Sequence, residues 1–236
     1  MINPFVAILP AAGVGKRFES DEPKQYSLID NRTVIEFSLE PLLDFSECLG
    51  ICIPISPIDT QWKSLKLVDN PKIKFIEGGD TRLLSVKKAV DYWKDSSLHY
   101  QNILIHDSVR PCVRSSDIRA MLENFSLGKD HGAVLGSPVA DTLKEVNDDN
   151  LYVKRTVDRK NIWKIYTPQV FKKDVLETVF KQLKAGKQFT DESGMVEESF
   201  GQIKTYIGAT DNIKITHPED MNLVKSILTA QGRIIK

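Results

Sequence analysis

The sequence predicts a doubly wound α/β fold with a mostly parallel, twisted sheet and a protruding β-hairpin arm. Three observations predict it. Short apolar runs alternate with amphipathic helical stretches through residue 136. Glycines and charged residues gather just past the ends of the apolar runs, where such sheets build their ligand crevice. The alternation then breaks after Pro138, where two strand-like segments flank the polar turn Asn147-Asp148-Asp149-Asn150.

Residues 5–9 form an apolar run that stops at Pro10-Ala11-Ala12-Gly13 and read as a buried parallel strand entering a loop. Residues 33–44 place Ile35, Leu39, Leu42 and Leu43 on one helical face, and Pro41 is expected to bend or end that helix. Residues 49–55 and 72–76 are the second and third strands, the latter ending at Gly78-Gly79-Asp80. The next helix has Leu83, Val86, Val90 and Trp93 on its apolar stripe, with Asp80 as a candidate cap. Residues 102–105 are the fourth strand and end at His106-Asp107; residues 115–125 are a helix capped by Ser115 or Ser116. A fifth strand begins at residues 133–136. The hairpin, residues 142–146 and 151–156, is either a pairing device between subunits or a plain surface hairpin. Residues 171–185 and 190–199 read as helices and 203–207 as a late strand. Thr216-His217-Pro218-Glu219 is a capping box before a final helix with Met221, Val224, Ile227 and Leu228 on one side. Without repeat or linker, residues 1–236 are expected to be one domain, with the arm at about 138–158.

Lys plus Arg equals Asp plus Glu at 32 each, so the balance gives no support to nucleic acid or a membrane surface as partner. Any cationic site must be local. Cys48, Cys52 and Cys112 are odd in number and lack Cys-x-x-Cys spacing, which argues against a disulfide framework or zinc site. The N-terminal residues lack the pattern of a signal peptide, and no apolar stretch is long enough to span a bilayer; a cytoplasmic location is expected.

The strongest local feature is Pro10-Ala11-Ala12-Gly13-Val14-Gly15-Lys16-Arg17, followed by Pro23-Lys24-Gln25. Small residues let the backbone approach a ligand, and successive N–H groups form an anion-binding concavity. Lys16, Arg17 and Lys24 add the charge that a triphosphate needs. A P-loop is excluded by Pro10 and Arg17, and a dinucleotide fingerprint by Phe18. Gly78-Gly79-Asp80 opens a helix whose first turns carry Arg82 and Ser85 on one face, suited to a nucleotide's base and sugar. Asp107 stands where a carboxylate can hold Mg²⁺ together with substrate phosphates, and Arg110 either fixes Asp107 or contacts substrate. Past the hairpin, Arg159 can grip a phosphate and Thr167 can add a hydroxyl donor. Asp211 is a candidate second metal ligand and Lys214 a further phosphate cation. Each of these has a bland reading as a turn, cap or ion pair. The set holds no Ser-His-Asp or Cys-His arrangement, which suits phosphorus chemistry built on positioning and charge stabilisation.

These segments, with Pro23-Lys24-Gln25-Tyr26, His106-Asp107, Arg110-Pro111, Asp141-Thr142, 156–159, Thr167-Pro168-Gln169, Thr190-Asp191-Glu192 and 211–220, run in order along nearly the whole chain. So ordered, they resemble the 2-C-methyl-D-erythritol 4-phosphate cytidylyltransferase family. The resemblance implies a Rossmann-like nucleotidyltransferase that joins CTP to the polyol phosphate with Mg²⁺, and a homodimer formed through the β-arm. It implies catalytic roles for Arg17, Lys24 and Lys214. It places Ala11, Ala12, Gly13, Gly79, Asp80, Arg82 and Ser85 around CTP, and Arg110, Thr142, Arg159, Thr167 and Thr190 around the acceptor. Arg159 and Thr167 would then act in the partner's site. His106-Asp107-Ser108-Val109-Arg110-Pro111 is also at home in the related ribitol-5-phosphate cytidylyltransferases, so that acceptor is one rival. A non-catalytic nucleotide-binding regulator is another.

Overall fold

The structure, a computed structural model, describes residues 1–13, 23–149, 151–183, 187 and 189–235. Strand β1 (Phe5–Ile8) is buried on both faces, as a central parallel strand must be. Its side chains alternate, Phe5 and Ala7 entering one core and Val6 and Ile8 the other. A two-stranded hairpin, β2 (Leu28–Ile29) and β3 (Arg32–Thr33), turns through Asp30 and Asn31, both at positive φ. Helix α1 (Val34–Leu43) starts at a capping box of Thr33 and Glu36. Pro41 lies inside its last turn, and the helix runs on to Leu43 before it ends. Proline cannot bond the carbonyl four residues back. That carbonyl, Phe37 O, instead accepts from Arg233 Nη2 at 2.5 Å.

Strands β4 (Cys48–Ile55) and β5 (Ile73–Glu77) extend the sheet on one side of β1. Helix α2 (Arg82–Lys94) is capped by Thr81, whose Oγ1 accepts from Leu84 N, and not by Asp80. Strand β6 (Asn102–Ile105) flanks β1 on the other side. Helix α3 (Ser115–Leu127) has Arg114 at its N-cap; the Ser115 hydroxyl is spent on Asp44. After β7 (Gly132–Pro138) comes the arm, β8 (Leu143–Val146) and β9 (Val153–Val157), paired with each other and apart from the main sheet.

Strand β10 (Trp163–Lys172) was not anticipated. It lies between β6 and β7 and is antiparallel to both. It takes Phe171 and Lys172 from the helix expected over 171–185, so α4 runs Lys173–Gln182. Helix α5 (Glu192–Ser199), strand β11 (Ile203–Ile207) and helix α6 (Asp220–Ala230) follow. The expected box of Thr216 and Glu219 does not cap α6, whose N-cap Glu219 makes no side-chain cap bond; instead Asp220, the first helical residue, reaches back and its Oδ2 accepts from the amides of Thr216 and His217.

Among the described residues, seven strands form one sheet in the order β11-β7-β10-β6-β1-β4-β5, with β10 the antiparallel member. Ile35, Leu39 and Leu42 of α1 and Ile118, Met121 and Phe125 of α3 cover one face. Val86, Val90 and Trp93 of α2, Leu176 and Phe180 of α4, and Met195 of α5 cover the other. A third cluster seats Val224 and Leu228 of α6 on Phe37, Val109 and Ile215. Among the described residues no helix is long and apolar enough to cross a membrane. The three cysteines are buried and unbonded to one another.

Candidate active site

Four parallel strands deliver their ends to one edge of the sheet. A cavity of about 230 Å³ opens there, lined by Pro10, Ala11, Ala12 and Gly13 after β1, Gly79 to Arg82 and Ser85 after β5, and Asp107 to Val109 after β6. Lys24, Gln25 and Lys214 complete it. The β1 loop is pinned from behind. Ser108 Oγ donates to Pro10 O at 2.8 Å and Gln25 Nε2 to Ala11 O at 2.9 Å. The glycines are steric requirements. A Cβ on Gly78 would stand 2.6 Å from Ala12 Cβ, and one on Gly79 2.6 Å from Leu84 Cβ. The two ligand loops meet at Gly78 because it has no side chain, and the bare Gly79 lets its loop fold back on the start of α2.

Asp107 is the electrostatic centre. Its Oδ1 accepts from Arg82 Nε at 3.1 Å, and its Oδ2 from Arg110 Nε at 3.3 Å and Lys214 Nζ at 2.9 Å. Burial opposes its charge, but the three cations prevail and hold its carboxyl well below the usual carboxylate range. Arg82 also donates through Nη1 to both oxygens of Glu192, at 2.7 and 2.8 Å. Burial pushes the Glu192 carboxyl up, and Arg82 works against that rise. Lys24 Nζ donates to Ile215 O at 2.8 Å, tying the cation below the loop to the segment that carries Lys214.

His106 sits behind this cluster, wholly buried. Asp107 N donates to Thr167 Oγ1 at 2.9 Å, and Thr167 Oγ1 lies 3.0 Å from His106 Nδ1. His106 Nε2 lies 3.2 Å from Arg110 O, an acceptor, so Nε2 carries the proton and Nδ1 accepts from the threonine hydroxyl. Burial holds the imidazole down to about 4 from 6.5. A group buried neutral favours unfolding as acid charges it in the unfolded chain. Stability therefore falls as pH drops from 6.5 towards 4, by about 1.4 kcal/mol per pH unit and about 3 kcal/mol in all. Urea titrations across that range are expected to show this acid limb, and His106→Gln to flatten it; an unchanged limb in the variant would refute the assignment.

The cavity's chemistry, a bare-backbone loop beside converging cations, is that of a nucleoside triphosphate site, and the comparisons agree. A family model described as 2-C-methyl-D-erythritol 4-phosphate cytidylyltransferase matches residues 5–230. The chain is 34% identical over 230 residues to the enzyme of that name from Actinobacillus pleuropneumoniae, covering 97% of this chain and 98% of the relative. It is 35% identical over 231 residues to the Vibrio vulnificus one, covering 98% and 97%. A crystal structure of 4-diphosphocytidyl-2C-methyl-D-erythritol synthase superposes with a TM-score of 0.81 at 29% identity, covering 96% of this chain and 99% of that one. The chain belongs to the 2-C-methyl-D-erythritol 4-phosphate cytidylyltransferase family. It is thus a nucleotidyltransferase that handles CTP, as the sequence-based resemblance anticipated.

Of the residues assigned to this family's CTP site, Ala11, Ala12, Gly13, Gly79, Asp80, Arg82 and Ser85 all line the cavity, with Lys24, Lys214 and Asp107. Arg17 lies outside the described residues. Asp211 is not brought to the cavity: it forms a two-pronged pair with Arg114 at 2.5 and 2.6 Å. The expectation of a two-carboxylate metal site is corrected accordingly. Among the described residues no cluster of three metal-ligand side chains occurs. Mg²⁺ is content with one carboxylate when phosphates supply other oxygens, and the ionised Asp107 fits that reduced role. Arg110 does not line the cavity; its Nη1 donates to Asn212 O at 2.8 Å and its Nε to Asp107. Thr167 is 4% exposed with its hydroxyl spent on Asp107 N and His106. Its hydroxyl is thus committed to the support of Asp107 and His106 and is not presented to the cavity. Thr142 and Arg159 are exposed on and beside the arm, away from the cavity lining, Arg159 bonding Ala140 O. Thr190 is exposed just before α5. Sequence reasoning missed Gln25 and Ser108 as loop anchors and Glu192 as the partner of Arg82. The signal was their place in the quoted segments, Gln25 in Pro23-Lys24-Gln25-Tyr26, Ser108 in the run from His106 to Pro111 and Glu192 in Thr190-Asp191-Glu192, none of which discloses the contact itself.

Proposed function

We infer that this chain transfers the cytidylyl group of CTP to 2-C-methyl-D-erythritol 4-phosphate, giving 4-diphosphocytidyl-2-C-methyl-D-erythritol and pyrophosphate, in non-mevalonate isoprenoid precursor synthesis. The full-length family match carries the reading, and the cationic cavity under a bare loop supports it. The ribitol phosphate alternative is not favoured, because the family model and the curated relatives carry the methylerythritol name.

An oxygen of the acceptor phosphate attacks the α-phosphorus of CTP. A P–O bond forms there, the bond to the bridging oxygen of the β-phosphate breaks, and pyrophosphate leaves. The attacking oxygen is already anionic, so no general base is needed, and positioning and charge stabilisation carry the catalysis. In this reading the loop of Ala11, Ala12 and Gly13 and the backbone at Gly79 hold the nucleotide, and Ser85 fixes the Gly79 amide at 3.0 Å. Lys24 and Lys214, with Arg17, stabilise charge as pyrophosphate separates. Asp107 would hold a divalent cation such as Mg²⁺, which would supply charge neutralisation for the phosphates.

Arg110 and Thr190 are assigned to the acceptor of the same chain, and Thr142 and Arg159 to that of a second copy in a homodimer. The arm supports this. A two-stranded hairpin is marginal by itself, and Leu151, Tyr152 and Val153 expose 74%, 72% and 57% of their surfaces. Pyrophosphate release from CTP and Mg²⁺ is expected with methylerythritol phosphate as acceptor. Turnover with ribitol 5-phosphate alone would replace the acceptor, and CTP binding without turnover on either would reduce the protein to a nucleotide-binding regulator.

A further inference from the structure

Glu192 opens α5 and is 0% exposed. An ionised carboxylate so far from water is costly unless it is paired. Its pair is Arg82, 110 residues away in the chain, whose Nη1 donates to both Glu192 oxygens. The mount beneath Glu192 is fixed. Asp191 caps α5 by accepting from Gly194 N at 3.1 Å, and its second oxygen accepts from Gln169 Nε2 of β10 at 2.8 Å. Helix α5 is thereby clipped to the sheet beside the cavity.

An arginine beside a lone carboxylate favours a two-pronged fork. Asp107 receives no fork from Arg82; it receives the single Nε contact. Glu192 takes Nη1 on the opposite edge, so the guanidinium is held from both sides. Arg82 keeps 30% of its side chain exposed while lining the cavity. Of its five N–H donors, the pair on Nη2 is committed to neither carboxylate.

We propose that Glu192 is a positioning residue for CTP binding: it holds the Nη1 edge of Arg82 opposite the Nε contact to Asp107, fixes the guanidinium at the cavity wall, and leaves the Nη2 donors of Arg82 for the triphosphate. The inference rests on the CTP reading of the cavity. It is a role in binding and not in the chemical step, because Glu192 itself touches no reacting atom.

Glu192→Gln keeps the side-chain volume and one acceptor and removes the charge. Calorimetric CTP affinity is expected to weaken about tenfold, with kcat at saturating CTP within about threefold of wild type, both measured well below the variant's melting midpoint. A purely structural role would lower active fraction and leave affinity alone. In an Arg82→Met background, which leaves no guanidinium to position, Glu192→Gln is expected to change affinity less than about twofold. Wild-type affinity in Glu192→Gln, or an undiminished tenfold loss in the Arg82→Met background, overturns the proposal. Should Glu192→Gln be unfolded at the assay temperature, Glu192→Asp shortens the reach by one methylene and retains the charge. Weakened CTP binding with near-normal kcat then supports the proposal, and wild-type affinity overturns it. Wild-type protein that binds no CTP would sink the site reading itself and this inference with it; wild-type binding with an unaffected variant sinks the inference alone.

Discussion

Lys24→Ala lowers kcat about a hundred- to a thousandfold while CTP affinity falls only a few-fold. The asymmetry follows from where the ammonium stands. Lys24 opens a short 3-10 helix and lines the cavity, with its Nζ tethered to Ile215 O at 2.8 Å. A cation held by a main-chain carbonyl cannot follow the substrate, so it acts best on charge that appears where it already points. That charge grows on the leaving pyrophosphate as the bond to the α-phosphorus lengthens. Single-turnover rates and calorimetric affinities separate the two effects; equal losses in both would make Lys24 a plain binding residue. The same variant tests the shared site. Mixed with Arg159→Ala, it is expected to recover about a quarter of wild-type activity when dimers form at random, since half are mixed and each restores one site. No recovery in confirmed mixed dimers would refute sharing through the arm.

Asp107→Asn is expected to lower kcat/KM by at least about a hundredfold and to cost about 3 kcal/mol of stability at neutral pH. The side chain is 8% exposed and faces Arg82, Arg110 and Lys214. Neutralising it leaves three cations with mutual repulsion and no central anion. The sign of the pH dependence is fixed by the depressed folded value. The contribution is complete above the unfolded carboxylate's 3.8 and is lost as pH falls through the lower folded value. Urea midpoints of wild type and variant should therefore differ most at neutral pH and converge in strong acid. A difference that persists undiminished there would show that the loss is steric and not electrostatic.

The parallel half of the sheet was legible because its strands are short apolar runs punctuated by glycine or proline, as at residues 5–9 and 72–76. Strand β10 was not, because Pro168 is forbidden in an ordinary central strand. The structure accommodates it with a break in register against β7: Tyr166 pairs with Leu135 and Gln169 with Val134, leaving Thr167 and Pro168 between them. The bulge also aims Thr167 at Asp107 and His106, a role no local pattern discloses. The cavity's loops were readable as motifs. The Arg82–Glu192 and Arg114–Asp211 pairs join residues 110 and 97 positions apart, and only the folded sheet brings them together. At Thr216 the local pattern was right in kind and wrong in residue, since Asp220 rather than Glu219 reaches back to the amides.

The reversed strand also imposes an order on biosynthesis. Strands β5, β4, β1 and β6 can associate as soon as Ile105 has left the ribosome, since they stand consecutively in the sheet. Strand β7 is made next but cannot dock on β6, because β10 belongs between them. Until Trp163–Lys172 emerges, the outer side of β6 is a bare row of N–H and C=O groups. A chain halted in that interval offers its unfinished border to any neighbouring polypeptide.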